Sequence, residues 1–271
     1  MAVPDVSDRS IAQLISLNGR VAIVTGGSQG TGAGIVRRLA EAGAAVVITD
    51  VDGELADDAA RALVDAGHAA IGLALAGDDE ASVAHVADQI VDELGRIDIW
   101  VNNAGIYPTS PVLEMTASQW DEVLDANLKS AFLGSREAAK RMIAGGNGGV
   151  IVNVGSTAGF RAYATGAGHY IASKFGMRGL TQALAVELGQ HGIRVLDVAP
   201  TFTVTPGTRR RRADLDDDAF EAYLEAAGAA KPLGRVGVPD DVGRVVLFCV
   251  SDLAMFMTGS TLAVDAGDLA R

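Results

Sequence analysis

Residues 20–50 read RVAIVTGGSQGTGAGIVRRLAEAGAAVVITD. An apolar run, Arg20–Thr25, meets the glycine-rich turn Thr25-Gly26-Gly27-Ser28-Gln29-Gly30-Thr31-Gly32. The turn opens into a helical pattern, Thr31–Ala42, and the chain returns as a second apolar run, Ala45–Asp50. Strand, tight turn, helix and strand make the smallest unit of a parallel sheet. Glycine lets the backbone turn sharply and approach a pyrophosphate, while the helix N-terminus offers free N–H groups to the anion. A glycine-rich match is common by chance, and its place between strand and helix gives it meaning. Asp50 ends the second strand, 18 residues beyond Gly32, where a carboxylate accepts hydrogen bonds from an adenosine ribose diol. The same charge repels a 2′-phosphate, and Ser28 and Gln29 stand where a basic residue would hold one. The unit therefore reads as a dinucleotide site favouring NAD over NADP. The competing reading makes Asp50 a cap for the helix that follows.

The same alternation continues along the chain. Further strands are expected at Ala69–Leu75, Ile97–Asn102, Val150–Gly155, Arg194–Ala199 and Thr261–Asp265, with helical segments such as Glu80–Leu94 between them. The strands are apolar throughout, as expected when helices cover both faces. The fold class is α/β, a doubly wound sheet of seven mainly parallel strands. No repeat, low-complexity tract or Pro/Ser-rich linker divides it. Residues 1–18 form an N-terminal extension, with a short helix expected at Ser10–Ile15, and 19–271 form one domain. An irregular stretch from Thr201 to about Lys231 includes TRRRRADLDDDAFEAYLEAAG at 208–228. Loops beyond the strand C-termini form the ligand crevice of such sheets, so 201–231 is a candidate lid.

Composition excludes several classes. Of 271 residues, 49% are hydrophobic and 21% charged, which suits a globular protein. The formal net charge of −12 argues against nucleic acid or an anionic membrane surface as partner. No apolar run approaches the roughly 18 residues that span a bilayer, and the acidic start MAVPDVSDRS is no secretory signal. The single Cys249, in VVLFCV, reads as a core residue. Together these place the chain in a reducing compartment, the cytoplasm, and no metal is expected.

Chemistry is suggested by HYIASKFG at 169–176, where Tyr170 and Lys174 share a helix face, and by VIVNVGS at 150–156, which places Ser156 at a strand end. A phenol is a poor base at neutral pH, with a pKa near ~10. A fixed cation nearby favours the phenolate, making the pair a proton-transfer device. The bland alternative is a pair of helix-surface neighbours. Only four lysines occur in the chain, at 129, 140, 174 and 231.

With these pieces in order, the chain resembles the short-chain dehydrogenase/reductase family, in its subgroup of single-domain enzymes of roughly 250 residues. The resemblance rests on TGGSQGTG (25–32), NNAG (102–105), Asn127 in DANLKSAF, Ser156, Tyr170 with Lys174, Pro200 to Thr205, PLGRVGVPDDV (232–242) and TGSTLAVDAG (258–267). It implies a Rossmann-like fold, a small-molecule alcohol or ketone substrate, a homotetramer, and NAD as the cofactor that Asp50 selects. Tyr170 is then the acid/base, Lys174 lowers its pKa and holds the nicotinamide ribose, and Ser156 binds the substrate oxygen. Asn127 holds a water that links Lys174 to solvent. The cofactor is held by Gly26, Ser28, Gln29, Gly30, Thr31, Gly32, Asp50, Asn103, Ala104, Gly105, Tyr170, Lys174, Pro200, Thr203 and Thr205. In the implied tetramer, small residues of the tyrosine helix, Ala172, Gly176 and Gly179, permit close approach of a neighbouring subunit.

The chain departs from the family pattern in three places. Ala76 and Gly77 replace an aspartate and an apolar residue at the adenine, with Asp78 following. Thr201 replaces a glycine after Pro200, which stiffens that turn beside the nicotinamide. The interval from Ser156 to Tyr170 is one residue longer, within GFRAYATGAGH. Substrate contacts are expected from Ser156, Tyr107, Phe160 and Phe202, with Tyr163 also near. His169 is expected in a supporting or exposed role. Arg209–Arg212 either grips a substrate anion or is a solvated segment balanced by Asp214 and Asp216–Asp218. The leading function is NAD-dependent interconversion of a secondary alcohol and a ketone. Its competitors are an NADPH-linked 3-oxoacyl carrier-protein reductase and a non-catalytic nucleotide-binding regulator.

Overall fold

Successive side chains of each strand point to opposite faces of one sheet, and both faces are buried. Along β1 (Val21–Thr25), Ala22 and Val24 enter one core while Val21 and Ile23 enter the other. On β5 (Gly149–Val154), Val150, Val152 and Val154 face the first core and Ile151 the second. The first core is covered by α2 (Gly30–Glu41), α3 (Gly53–Asp65) and α10 (Pro239–Val250). The second is covered by α4 (Glu80–Leu94), α6 (Ser130–Gly145) and α7 (Gly168–Leu188). The structure, a computed structural model, describes residues 4–271. Met1–Val3 of the expected extension lie outside the described residues.

The remaining strands are β2 (Ala45–Asp50), β3 (Ala70–Ala74), β4 (Ile99–Asn102), β6 (Ile193–Pro200) and β7 (Thr261–Val264). All pairings are parallel, in the order β3-β2-β1-β4-β5-β6-β7. The Rossmann-like expectation is met, with each strand within two residues of its predicted ends. The order reverses between β1 and β4, which opens a crevice beyond their C-terminal ends. The helix in the N-terminal extension, α1 (Ile11–Ile15), is closed by a reciprocal pair, Ser10 and Gln13.

The segment 201–231 is not irregular. It folds into α8 (Pro206–Arg211), capped by Thr205, and α9 (Asp217–Ala229), capped by Asp216. The acidic run expected to balance the arginines includes that cap, because a carboxylate satisfies the free N–H groups of a first turn. The remaining helix, α5 (Ala117–Leu124), runs into a π-helical turn, Asp125–Lys129, that carries Asn127. Gly176 serves packing within the chain, since a Cβ there would meet Leu128 at 2.7 Å, whereas Gly179 faces open space.

A buried polar relay ties the second core together. The Trp100 indole donates to Asn102 Oδ1 at 2.8 Å, and Asn102 Nδ2 donates to Ser135 Oγ at 2.9 Å and Asn153 Oδ1 at 2.8 Å. Asn153 Nδ2 continues to Thr181 Oγ1 at 2.8 Å on α7. Four elements are thus fixed in register behind the crevice. Asn102→Leu strands the indole N–H and the Asn153 carbonyl, each at about 1–3 kcal/mol. Urea unfolding should show a loss of about 2–5 kcal/mol; an unchanged midpoint would mean the relay is dispensable.

Candidate active site

The glycine turn is forced by its surroundings. Gly26 and Gly30 adopt φ of +59° and +57°, and a Cβ on Gly32 would lie 2.1 Å from the Gly26 carbonyl oxygen. Asn103 braces the turn from β4: its Nδ2 donates to the carbonyls of Thr25 at 2.9 Å and Gly26 at 3.0 Å. The Thr25 hydroxyl accepts from the backbone N–H groups of Asn103 and Ala104, both at 3.0 Å. Gln29, the residue before α2, makes no side-chain cap, so the first turn keeps N–H groups free for an anion. This is a cradle that fits a dinucleotide diphosphate.

Asp50 opens into the same crevice. The cap of α3 is Asp52, whose Oδ1 accepts from Glu54 and Leu55, so the capping alternative for Asp50 falls away. Ser28 turns its hydroxyl to the Asp50 carboxylate and does not line the crevice, so it acts on a nucleotide only through Asp50. Gln29, Thr31, Ala104, Gly105, Pro200, Thr203 and Thr205 line the crevice as expected. So do Gly77 and Asp78, while the Ala76 N–H is taken by Ser82.

Tyr170, Lys174 and Ser156 meet at the end of β5. Lys174 is 4% exposed, and its Nζ donates to the Val154 carbonyl at 2.8 Å. That ammonium lies 5.7 Å from the Tyr170 ring centroid. Burial lowers its pKa to about 8, against the opposing charge of Asp197. Asp197, on β6 and fully buried, was overlooked in the sequence because it interrupts an apolar strand without a motif. Burial raises its carboxyl to about 6, held back by the Thr261 hydroxyl and by Lys174.

The expected lowering of the Tyr170 pKa is not present in the protein alone. Burial drives the phenol well above its ordinary range, and the hydrogen bond with Ser156 only partly offsets this. The reason is geometric: Lys174 points at the Val154 carbonyl instead of at the phenol oxygen. Asn127 also differs from expectation. Its Oδ1 accepts from the Ile106 N–H at 2.7 Å, and its Nδ2 donates to the Ile106 carbonyl at 2.8 Å and to Ser173 Oγ at 3.2 Å. It therefore locks the loop after β4 to α7. His169 is fully buried, and its Nδ1 accepts from the Tyr170 N–H at 2.9 Å.

Tyr107, Tyr163 and Phe202 line the crevice. Phe160 does not; it packs beneath Arg178, whose guanidinium lies 3.8 Å from the ring centroid. Thr201 points its hydroxyl to Asp268 at 2.9 Å and accepts from Lys231 at 3.1 Å, anchoring the lid base to the C-terminal segment. Arg209 turns away to Asp217 at 2.9 Å. Lys231, Asp268 and Tyr223 were missed in the sequence, because only tertiary packing brings the lid and the C-terminal segment to one wall. The crevice, about 1560 Å³, exceeds the ~300–1,000 Å³ of an ordinary small-molecule pocket. It has room for a dinucleotide with a second molecule beside the phenol.

Comparison with known proteins agrees with this geometry. A family model described as "Enoyl-(Acyl carrier protein) reductase" matches residues 26–268. Cis-4-hydroxycyclohexanecarboxylate dehydrogenase of Sinomonas cyclohexanicum is 41% identical, covering 92% of this chain and 96% of its own. A 3-oxoacyl-[acyl-carrier-protein] reductase of Aquifex aeolicus is 37% identical, covering 93% and 98%. The crystal structure of a gluconate 5-dehydrogenase from Burkholderia cenocepacia, in complex with NADP and tartrate, superposes with a TM-score of 0.89 at 32% identity. That alignment covers 97% of this chain and 100% of the other. The chain belongs to the short-chain dehydrogenase/reductase family of nicotinamide-dependent oxidoreductases.

Proposed function

We propose that the protein is an NAD-dependent dehydrogenase interconverting a secondary alcohol and a ketone, with Tyr170 exchanging the proton. The observation that carries this reading is that Tyr170, Ser156 and Lys174 share one crevice with the glycine cradle. Bound there, the nicotinamide dinucleotide supplies the hydride acceptor and, when oxidised, a positive ring whose field favours the phenolate. The protein supplies the remainder. Ser156 orients the substrate oxygen toward Tyr170, and Tyr170 takes or returns the proton on that oxygen. Lys174, held by Val154, keeps a positive charge behind the phenol, while Asn127 and Ser173 fix the helix that carries both groups. Raised by burial, the phenol stands as a proton donor in the protein alone, which suits ketone reduction.

Asp50 in the crevice, freed from capping and bonded to Ser28, supports NAD as the cofactor. The solved gluconate 5-dehydrogenase with NADP and the Aquifex reductase keep NADPH-linked 3-oxoacyl reduction as the second reading. We further propose a homotetramer, supported by the apolar side chains that α7 leaves exposed, Phe175 at 45% and Val186 at 86%. A solution mass of a single chain would contradict it.

Initial rates should be higher with NADH than with NADPH, and Asp50→Ala should narrow that ratio at least about 10-fold. An unaltered ratio would remove the carboxylate argument. Tyr170→Phe should lower turnover by about 10²–10⁴-fold while NAD still quenches intrinsic fluorescence; retained turnover would exclude the mechanism. In the reductive direction, kcat/KM should fall as pH rises through about 8, where Lys174 gives up its proton. A profile flat to well above that pH would mean the lysine charge is not used.

A further inference from the structure

At the substrate end of the crevice the sign of the protein's charge reverses. The chain carries −12 overall, yet Arg161, Arg211, Arg212, Lys231 and Arg271 line the wall built by the lid, the Ser156–Tyr170 loop and the C-terminal segment. Asp268 is the one carboxylate on that wall among the described residues. It is already engaged, by Lys231 at 2.8 Å and by Arg161 and Arg271 at 3.0 Å each. The other acids of the crevice come from the segments following β2, β3 and β4. The two lid arginines are therefore left without an anion among the described residues. Arg212 rests over the Tyr223 ring at 4.9 Å, and Arg211 over the Tyr107 ring at 4.2 Å.

An exposed arginine without a partner is often merely solvated, and the dipole of water then satisfies it. Arg211 differs in two respects. Stacking on Tyr107 fixes the plane of its guanidinium and leaves the N–H edges free, the arrangement that takes a carboxylate with two parallel hydrogen bonds. Tyr107 in turn packs against the reacting residue, its ring centroid 6.2 Å from that of Tyr170, and the Arg211 charge is felt at the Tyr170 phenol. A strongly acidic chain repels an anion at long range, so a local cationic wall is what admits one.

We propose that Arg211 binds a carboxylate of the substrate. The apolar body lies among Tyr107, Tyr163 and Phe202, and the hydroxyl lies at Tyr170. This rests on the dehydrogenase reading and narrows it to hydroxy acids. Because the Tyr107 ring separates the guanidinium from Tyr170, the hydroxyl and the carboxylate are spaced by about the width of a ring and are not on adjacent carbons.

The test compares initial rates on 4-hydroxycyclohexanecarboxylate, its carboxamide and lactate, with NAD and with NADP. The acid should exceed the amide in kcat/KM by about 10- to 100-fold, the range expected for hydrogen bonds to a charged group, and lactate should be poor. In Arg211→Gln the acid-over-amide ratio should collapse toward one, chiefly through the KM of the acid. Arg211→Lys, which keeps the charge but not the planar fork, should retain an intermediate ratio. Since the ratio is read within one preparation, loss of folded protein does not move it. Equal efficiency on acid and amide, or a ratio unchanged in Arg211→Gln, would overturn the inference and leave the dehydrogenase reading standing. Turnover of no alcohol, acidic or neutral, with either cofactor would instead overturn the dehydrogenase reading, and this inference with it.

Discussion

One hydrogen bond organises this molecule: the Lys174 ammonium donating to the Val154 carbonyl at 2.8 Å. A buried cation is costly unless it is paired or hydrogen-bonded, and 4% exposure leaves Lys174 little water to turn to. The carbonyl that receives it belongs to the last residue of a central strand, fixed by the parallel ladder to β6. The position of the charge is thus as rigid as the sheet. One turn of α7 below, Tyr170 inherits that rigidity, with its own N–H tied to His169 and its carbonyl accepting from Ser173 at 2.7 Å.

The sheet supplies the other half of the arrangement. Reversal of strand order between β1 and β4 leaves room above both strand ends, and the glycine cradle fills one side of it. Asn103 braces that cradle from β4 and Asn127 braces the loop that follows, so cofactor side and proton side are tied to each other through a few buried amides. Above them, charge is sorted. Carboxylates face the nucleotide side, and arginines and a lysine face the lid side. An acidic protein can in this way present a cationic wall to one small ligand.

Much of this was legible in the sequence, for physical reasons. Parallel strands buried on both faces are unbroken apolar runs, so β2 could be read as Ala45–Asp50 directly. The glycine turn announces itself because no Cβ fits at Gly32. The tyrosine and lysine are visible because helical spacing puts them on one face. What was not legible depends on tertiary packing. Phe160 reads as a crevice residue from its position after β5, but Arg178 captures its ring. The helices of the lid were hidden by a run of arginines and aspartates whose capping role shows only once α9 begins at Asp217. Thr201, Lys231 and Asp268 lie far apart in the chain and become one contact only when the last strand closes the sheet. Even the phenol's pKa reverses direction, because spacing gives proximity to a lysine but not where its ammonium points.

The central claim is that the Tyr170 phenol is held as an acid by burial and becomes a base once an oxidised dinucleotide lies beside it. Ultraviolet difference titration of tyrosinate reads this directly, comparing the parent protein with Tyr170→Phe, each with and without saturating NAD. The account predicts one tyrosine that ionises at lower pH when NAD is bound, present in the parent and missing from the variant. Identical titrations of parent and variant in the presence of NAD would contradict it.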